Sequence, residues 1–318
     1  MTYNNLIVTG GLGFIGKNFC LHQNNFLGKK IIVDKVTYAS DLDFYYSHLK
    51  QHGWQLVIAD VNQMPKLIPL LDLKNLCVIN FAAESHVDNS FSNARQFYDA
   101  NVGGTLGVIE YCLATNAQLL HMSTDEVYGE VVNVAATELT NLNPTNPYSA
   151  SKAAADIMVQ TYIKCFGLNA KIIRANNIFG PKQLAEKVIP KAIRLATNKN
   201  TFYLHGSKRL IRNFLHTSDF SRAILKVLET WVSDKQLIFN IAGTESVQIR
   251  ELVEFIYNVC GASKDLIGNT EDRPFNDEEY LIDDTAIRSL GWEPSVDFWH
   301  EVRKLCEEKS YLKPYCVI

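Results

Sequence analysis

Short apolar runs alternate with amphipathic segments of helical length along the first half of the chain. A parallel sheet covered on both faces gives this pattern, because its strands are buried along their whole length. The apolar runs predict strands at 5–9, 30–34, 54–58, 76–81, 118–123 and 170–175. The segments between them predict helices near 14–24, 62–71, 97–115 and 149–166. Such helices are long enough for right-handed crossovers, so we expect an α/β fold with a doubly wound parallel sheet.

The rhythm of strand and helix weakens after Gly180-Pro181, where shorter elements follow. The apolar spacing predicts a short element at 202–204 and helices near 186–198, 218–231, 248–260 and 297–309. The segment 271–284 is rich in charge, Pro and Asn, which predicts a loop over a pocket. We therefore expect a sheet domain at 1–180 and a smaller C-terminal α/β substrate-binding lobe at 181–318, with some chain crossing back to the first domain.

Composition and charge exclude several classes of partner. The chain has 318 residues, of which 47% are hydrophobic, and a formal net charge of -3. It contains no long block of Lys and Arg, so we expect no nucleic-acid partner. It also lacks a membrane-length apolar stretch and a signal-peptide pattern. The seven cysteines form no CxxC pair and have no His at ligand spacing, so we expect reduced thiols, no metal site and a cytoplasmic location.

A glycine-rich turn follows the first predicted strand and opens the first helix. It reads Thr9-Gly10-Gly11-Leu12-Gly13-Phe14-Ile15-Gly16. Its glycines allow a tight turn and a close approach of the backbone to a pyrophosphate. An ordinary turn is the alternative. However, the second strand ends in Asp34, 18 positions after Gly16, where a carboxylate accepts hydrogen bonds from ribose hydroxyls. The pattern predicts a Rossmann-type dinucleotide site, and the negative charge of Asp34 favours NAD over NADP.

Tyr148 and Lys152 are four residues apart at the start of a predicted helix, so they share one face. A phenol that acts as a base near neutral pH must lower its pKa by roughly 3 units, which costs about 4 kcal/mol. An ammonium about 5 Å away supplies roughly 3 kcal/mol of this. An exposed helix face is the alternative for an isolated pair, but the dinucleotide motif upstream favours a catalytic pair.

Thr124, Asp125 and Glu126 come directly after the fifth predicted strand, at the edge where such folds bind ligands. A simple dehydrogenase needs no pair of carboxyl groups, but the removal of water from a sugar does. Once C4 is a ketone, one carboxylate can take the C5 proton, and a neutral carboxylic acid can protonate the leaving 6-hydroxyl. A solvated acidic turn is the alternative interpretation.

Ten sequence segments together resemble the nucleoside-diphosphate-glucose 4,6-dehydratases of the extended short-chain dehydrogenase/reductase family. They are TGGLGFIG, VDKVTYAS, FAAESHVDNS, STDEVYGE, NPYSASK, NNIFGP, IRNFLHTSDF, FNIAG, RPFNDEEY and LGWEP. The resemblance implies that Tyr148 is the base at the C4 hydroxyl, with Lys152 as its electrostatic partner and Thr124 as a donor to the C4 oxygen. It implies Asp125 as the acid at C6 and Glu126 as the base at C5, with NAD regenerated in each turnover.

The resemblance also implies three further groups of contacts. Residues expected at the pyrophosphate and the adenosine are Gly10, Gly13, Phe14, Ile15, Gly16, Asp34, Lys35, Thr37, Asp60 and Val61. Residues expected near the nicotinamide are Ala82, Ala83, Ser85, Tyr148 and Lys152. Residues expected at the sugar nucleotide, besides Thr124, Asp125 and Glu126, are Ser85, Asn177, Lys187, Arg212, Asn240, Arg273 and Tyr280.

The same resemblance leaves the nucleotide open. Bacterial dTDP-glucose enzymes commonly read close to RPGHDRRY where this chain has RPFNDEEY, and Glu279 replaces a cation. The RPFND segment is more similar to the UDP-glucose dehydratase of eukaryotic rhamnose synthesis. We therefore expect UDP-glucose as the substrate, with dTDP-glucose as a close second.

Two rival functions follow from the same scaffold. One is a UDP-sugar 4-epimerase or decarboxylase. Epimerases usually lack the acid pair, and decarboxylases and GDP-mannose dehydratases typically have Ser at the position of Asp125. The other is a non-catalytic regulatory protein that senses NAD. Apolar positions on the helices near 97–115 and 149–166 predict a homodimer, although core packing explains them equally well; they are Leu106, Ile109, Ile157, Val159 and Ile163.

Overall fold

The main sheet of the computed structural model has seven parallel strands among the described residues, which are 3–71, 73–206, 209–272 and 275–308. Its strand order is β11-β7-β5-β4-β1-β2-β3. The six predicted strands and the doubly wound α/β fold are confirmed. The strands of the structure are β1 Asn5–Thr9, β2 Lys29–Asp34, β3 Trp54–Ile58, β4 Leu76–Asn80, β5 Gln118–Thr124, β6 Val131–Ala136, β7 Ala170–Ala175, β8 Asn177–Phe179, β9 Phe202–His205, β10 Ile211–His216, β11 Ile238–Ile241, β12 Ser246–Gln248, β13 Ile267–Thr270 and β14 Tyr280–Ile282.

Helices cover both faces of this sheet. Their bounds are α1 Phe14–His22, α2 Leu42–Phe44, α3 Ile68–Leu71, α4 Val87–Ser92, α5 Ala94–Phe97, α6 Gly104–Thr115, α7 Pro147–Phe166, α8 Val188–Thr197, α9 Thr217–Glu229, α10 Ile249–Val259, α11 Thr285–Ser289 and α12 Phe298–Glu308. None of the described helices combines the length and the apolar character that a membrane crossing requires.

Two predicted helices have irregular beginnings. The segment predicted near 97–115 contains a π-helical turn at Tyr98–Gly103 before α6 starts. The segment predicted near 62–71 begins as a 3₁₀-helix at Val61–Leu67, with Pro65 inside it. Because proline lacks the N–H that an α-helical hydrogen bond needs, regular α-helix forms only after it.

Pairing between distant segments produced the elements that the sequence did not predict. Strand β11 adds a seventh member to the main sheet by pairing with β7. Strand β14 pairs with β6, so the expectation of a loop throughout 271–284 is wrong at its end. These strands have three to six residues, too few for a local apolar pattern to reveal them.

Three large apolar clusters form the core. Two of them pack the opposite faces of the main sheet, and α1 contacts α9 on one face. A third cluster joins α8, α10 and α12 in the second half of the chain. The division into domains at 180 and 181 stays a prediction. Ile109 and Val159 belong to the core, whereas Ile157 is 52% exposed and remains available for the predicted dimer contact.

A buried ion pair joins α7 to β7. Asp156 accepts hydrogen bonds from Nε and Nη2 of Arg174, both at 2.9 Å, and the two side chains are at most 2% exposed. Arg174 also donates to the hydroxyl of Tyr128 at 2.8 Å. This bidentate arrangement satisfies both charges away from water, which holds the helix that carries Tyr148 against the sheet.

Replacement of Asp156 by Ala is expected to lower the free energy of unfolding by ~3–5 kcal/mol, because it leaves the guanidinium of Arg174 buried without its counterion. Denaturation in urea measures the change. The control is Asp99→Ala, which removes an exposed ion pair with Arg95 and should cost less than ~1 kcal/mol. Equal effects of the two substitutions would contradict this assignment.

Candidate active site

One cavity of about 460 Å³ lies at the carboxyl ends of the parallel strands. The strand order reverses between β1 and β4, and the chain leaves these two strands toward opposite faces, which opens a crevice at this edge. Most of the predicted site residues line the cavity: Gly10, Gly13, Phe14, Ile15, Gly16, Asp34, Lys35, Thr37, Asp60, Val61, Ala82, Ala83, Ser85, Thr124, Asp125, Glu126, Tyr148, Lys152, Asn177, Lys187, Arg212 and Tyr280.

The glycine-rich turn has no room for side chains. Gly10 has φ +64°, and a Cβ there would lie 2.8 Å from the backbone of Ala82. A Cβ on Gly16 would lie 2.3 Å from the carbonyl oxygen of Gly10. Gly13 caps α1 without a side chain, so the first N–H groups of the helix face the cavity edge with no side-chain acceptor at the cap. The turn is therefore shaped to receive an anionic group on the helix terminus.

Asp34, predicted at the adenosine, holds together two loops at the edge of the cavity. Its carboxylate accepts from the backbone N–H of Leu12 at 3.1 Å and of Val36 at 2.9 Å, and from the hydroxyl of Ser40 at 2.8 Å. The contact holds Val36 at φ +55°, a backbone conformation that costs a β-branched residue energy. The carboxylate thus joins the glycine-rich turn to the loop after β2.

Lys35 and Asp60 face each other beside Asp34. Their charged atoms are 3.8 Å apart, and both side chains are partly exposed. Asp60 also caps the 3₁₀-helix by accepting from the N–H of Asn62 at 2.9 Å. The ammonium of Lys35 is therefore opposed by a carboxylate in the part of the cavity where a 2′-phosphate would add a further negative charge.

Asp125 is a buried acid with two hydrogen-bond donors. It is 2% exposed, Oδ2 accepts from the amide of Asn176 at 2.7 Å, and Oδ1 accepts from the hydroxyl of Thr124 at 3.0 Å. Burial, and then the negative charge of Glu126, raise the pKa of Asp125 to about 7. Near neutral pH a large fraction of this group therefore carries a proton and can act as an acid.

Glu126 lies in a different environment from its neighbour. Its Oε2 accepts from the side-chain amide of Asn146 at 3.2 Å. Burial raises the pKa of this carboxyl, while Asn146 and the cations Arg212 and Lys187 oppose the rise. Two adjacent acids with different partners can hold different protonation states, which is the arrangement that acid–base chemistry needs.

Tyr148 and Lys152 lie on one face of α7, as predicted, but their electrostatics differ from the prediction. The Nζ of Lys152 donates to the carbonyl of Met122, and burial lowers the pKa of Lys152 to about 8. Burial, and then the charge of Glu126, raise the pKa of Tyr148 instead of lowering it. Burial of the phenol is the main cause of its raised pKa, and the charges of Glu126 and Asp125 add to it, whereas a hydrogen bond with Thr124 acts in the opposite direction.

The predicted cations lie at the far side of the cavity. Arg212 donates to the carbonyls of Asp277 at 3.0 Å and Glu278 at 3.1 Å, and it stacks on the ring of Tyr280 at 4.7 Å. Lys187 donates to the carbonyl of Ser85 at 3.0 Å. Because backbone contacts fix both side chains, their charge is held in place at the cavity wall.

Two predicted substrate residues do not join this group. Asn240 is fully buried, accepts from the hydroxyl of Tyr128 at 2.8 Å and donates to the carbonyl of Ala136 at 3.0 Å. It lies outside the cavity lining, so the expectation of a substrate contact is corrected: its amide is used to tie β11 to β6. Arg273 lies outside the described residues.

Sequence reasoning missed two asparagines that hold the acids and a third acid beside them. Asn176 stands beside the predicted Asn177, and Asn146 occupies the helix cap before Pro147. Asp277 is 2% exposed and lines the cavity. The Asn-Pro pair at the start of α7 was the available signal for Asn146.

Comparison with known proteins gives the family. The model of the GDP-mannose 4,6 dehydratase family matches residues 7–305. The low-salt glycan biosynthesis protein Agl12 of Haloferax volcanii is 37% identical over 92% of this chain and 94% of its own length. A trifunctional UDP-glucose 4,6-dehydratase, 3,5-epimerase and reductase, RHM3 of Arabidopsis thaliana, is 34% identical over 95% of this chain. The chain spans 47% of that relative's length.

A solved structure has the same fold along nearly the whole chain. It is a double mutant of DesIV, a dTDP-glucose 4,6-dehydratase from Streptomyces venezuelae, with NAD and DAU bound. The two share 31% sequence identity with a TM-score of 0.88, over 95% of each chain. The chain therefore belongs to the GDP-mannose 4,6-dehydratase family of extended short-chain dehydrogenase/reductases.

Proposed function

We propose that this enzyme is a hydro-lyase that converts a nucleoside-diphosphate-glucose to its 4-keto-6-deoxy product. The observation that carries the proposal is the acid pair of buried Asp125 and partly buried Glu126, which shares one cavity with Thr124 and Tyr148. An epimerase only oxidises and reduces C4, and this reaction requires no pair of carboxyl groups. The side chain of Asp125 further favours a glucose substrate over GDP-mannose, since the resemblance gives Ser at that position in GDP-mannose enzymes.

We propose NAD as the cofactor, because the residues of the cavity fit it. The backbone cradle at Gly10, Gly13 and Gly16 leaves space that a Cβ would fill, as a pyrophosphate requires. Asp34 ends β2 at the place where a ribose hydroxyl binds. When bound, NAD supplies the oxidation at C4 and the later reduction at C6.

Tyr148 and Thr124 act at C4. In its phenolate form Tyr148 takes the proton of the C4 hydroxyl, and the hydroxyl of Thr124 donates to the C4 oxygen. The raised pKa of Tyr148 makes the phenol hold this proton firmly while C4 stays a ketone, and the phenol must lose the proton again before the next turnover. Lys152 lies one helical turn away and supplies the positive charge that the phenolate needs.

Glu126 and Asp125 carry out the elimination. The carboxylate of Glu126 takes the proton from C5, the C5–C6 double bond forms, and the C6–O bond breaks. Asp125 gives its proton to the departing oxygen, which leaves as water. Asp125 must be neutral at that moment, and its pKa of about 7 meets this need near neutral pH.

UDP-glucose is the substrate that we propose, with dTDP-glucose as the second candidate. Lys187 and Arg212 place positive charge at the cavity wall, where a diphosphate requires it. The two nucleotides differ by one hydroxyl and one methyl group, a difference worth only ~1–3 kcal/mol. The names of the relatives include both nucleotides. The homodimer stays a further prediction.

Incubation of the purified protein with UDP-glucose or dTDP-glucose, without added NADH, is expected to yield a product that has lost one water. Mass spectrometry of the nucleotide sugar measures this loss, and the two rates compared side by side give the nucleotide preference. Recovery of UDP-galactose from UDP-glucose would indicate the rival epimerase. In a separate incubation with UDP-glucuronate, recovery of UDP-xylose would indicate a decarboxylase. Binding of NAD without turnover of any of these sugars would indicate the regulatory protein.

Replacement of Glu126 by Gln is expected to reduce the elimination ~10²–10⁴-fold, because the C5 proton loses its acceptor. Oxidation at C4 still proceeds, so the absorbance of reduced nicotinamide should rise when substrate is added. The matched control is Glu110→Gln, an exposed glutamate on α6, which should turn over like the wild type. Unchanged turnover in Glu126→Gln would remove Glu126 from the mechanism.

The raised pKa of Asp125 also predicts how stability depends on pH. Between pH 3.8 and about 7 the folded protein retains a proton that the unfolded chain has lost, so this residue makes stability fall as pH rises. Asp125→Asn has no such group and does not lose this stability as pH rises. The free energy of unfolding of the variant minus that of the wild type should therefore increase by up to ~4 kcal/mol between pH 3.8 and about 7. Urea denaturation at several pH values measures the difference. A flat difference, like that expected for Glu110→Gln, would be inconsistent with a buried acid.

A further inference from the structure

A third buried acid, Asp277, lies in the cavity and has no task in the reaction described above. Its Oδ2 accepts from the hydroxyl of Thr145 at 2.6 Å and from the hydroxyl of Tyr280 at 2.5 Å. Within the part of the chain that the structure describes, Oδ1 is buried and has no hydrogen-bond partner. Both contacts use the carboxyl group as an acceptor only, which is how an ionised carboxylate behaves.

Asp277 is connected to the general base through the cap of α7. Thr145 precedes Asn146, and the backbone N–H groups of both donate to the hydroxyl of Ser149 at 3.2 and 3.1 Å. The side chain of Asn146 then donates to Glu126 at 3.2 Å. A shift of Asp277 would therefore move the residue beside the one that orients Glu126.

The same segment is connected to the general acid and to a cation. Arg212 donates to the carbonyl of Asp277 and stacks on the ring of Tyr280. The carbonyl of Tyr280 accepts at 3.3 Å from Asn176, the amide that also holds Asp125 at 2.7 Å. Residues 277–280 thus contact Asn176, the partner of Asp125, and Thr145, the neighbour of the asparagine that holds Glu126.

We propose that Asp277 is a positioning residue for Glu126. Asp277 holds Glu126 in place through Thr145 and Asn146, and its negative charge keeps Glu126 basic. This inference rests on the proposed role of Glu126 as the C5 base. It gives Asp277 no contact with the reacting atoms.

Charge explains why such a residue is needed. The titratable and charged groups around Glu126 come from the end of β5, from α7, from the cap of α8, from β10 and from the segment before β14. They are Asp125, Tyr148, Lys187, Arg212, Asp277 and Tyr280. The two cations favour the ionised form of Glu126 and weaken it as a base, whereas Asp277 acts in the opposite direction and raises its pKa.

The test compares Asp277→Asn with Thr145→Val. Asp277→Asn removes the charge but keeps the shape, so the acidic limb of the kcat–pH profile should move down by about one unit. The kcat on the plateau should fall about three-fold to ten-fold, because Glu126 becomes a weaker base. KM should change less than kcat, since Arg212 binds the backbone carbonyl of residue 277. Thr145→Val keeps the charge, and its acidic limb should stay at the wild-type pH.

A measurement without substrate separates this inference from the proposed function. The difference in unfolding free energy between the wild type and the Glu126→Gln variant, measured as a function of pH, reports the pKa of Glu126 in the folded protein. In the Asp277→Asn background this difference should reach its limiting value at a lower pH than in the wild-type background. An unchanged pH dependence would overturn the inference, as would an equal shift in Thr145→Val. Failure of the wild type to dehydrate either nucleotide sugar would overturn only the proposed function.

Discussion

Two adjacent carboxyl groups follow β5, that of Asp125 buried and that of Glu126 partly buried, and the repulsion between them organises the surrounding site. Neighbouring residues cannot move apart, so their charges must be separated by giving each a different set of partners. Asn176, which follows β7, holds Asp125, whereas Asn146, at the cap of α7, holds Glu126. The more deeply buried carboxyl, that of Asp125, is protonated in a large fraction of molecules near neutral pH, and the charges of two cations act on the other, that of Glu126.

The helix α7 transmits this arrangement to the rest of the protein. Its cap orients Glu126, its first turn carries Tyr148, and its second turn carries Lys152. One turn further, Asp156 forms the buried ion pair with Arg174 of β7. Through its cap and its first turn, a single helix therefore sets the distance between the proposed base at C4 and the proposed base at C5, and the sheet holds the helix in place. Catalytic groups placed on a packed helix keep their geometry better than groups placed on loops.

Sequence reasoning succeeded where the signal was local. The six strands were predictable because strands buried on both faces are continuously apolar. The turn at Gly10 and Gly16 was predictable because its glycines lie close together in the chain. The contacts that tune the acids were not predictable. Asn176 and Asp125 are 51 positions apart, and Asp277 and Thr145 are 132 apart. No local pattern encodes such pairs, since only the folded topology brings them together.

The same limit explains the two errors of the sequence analysis at the site. The Tyr148–Lys152 spacing gave the correct helix face, but burial by the folded chain, and then carboxyl groups from another element, raise the pKa of the phenol. The asparagine at the end of β11 matched a family position, yet β6 approaches from outside the main sheet and takes up its amide.

Charge balance in the cavity links binding to catalysis. Three acids, Asp125, Glu126 and Asp277, share it with Lys187 and Arg212, which the second half of the chain supplies. Under the proposed function, a bound diphosphate adds negative charge beside these cations and offsets their effect on the acid pair. Both acids then bind protons more tightly, so Asp125 is more fully protonated and Glu126 is a stronger base when substrate is present. The cations that recruit the nucleotide therefore also set the acidity of the groups that remove water.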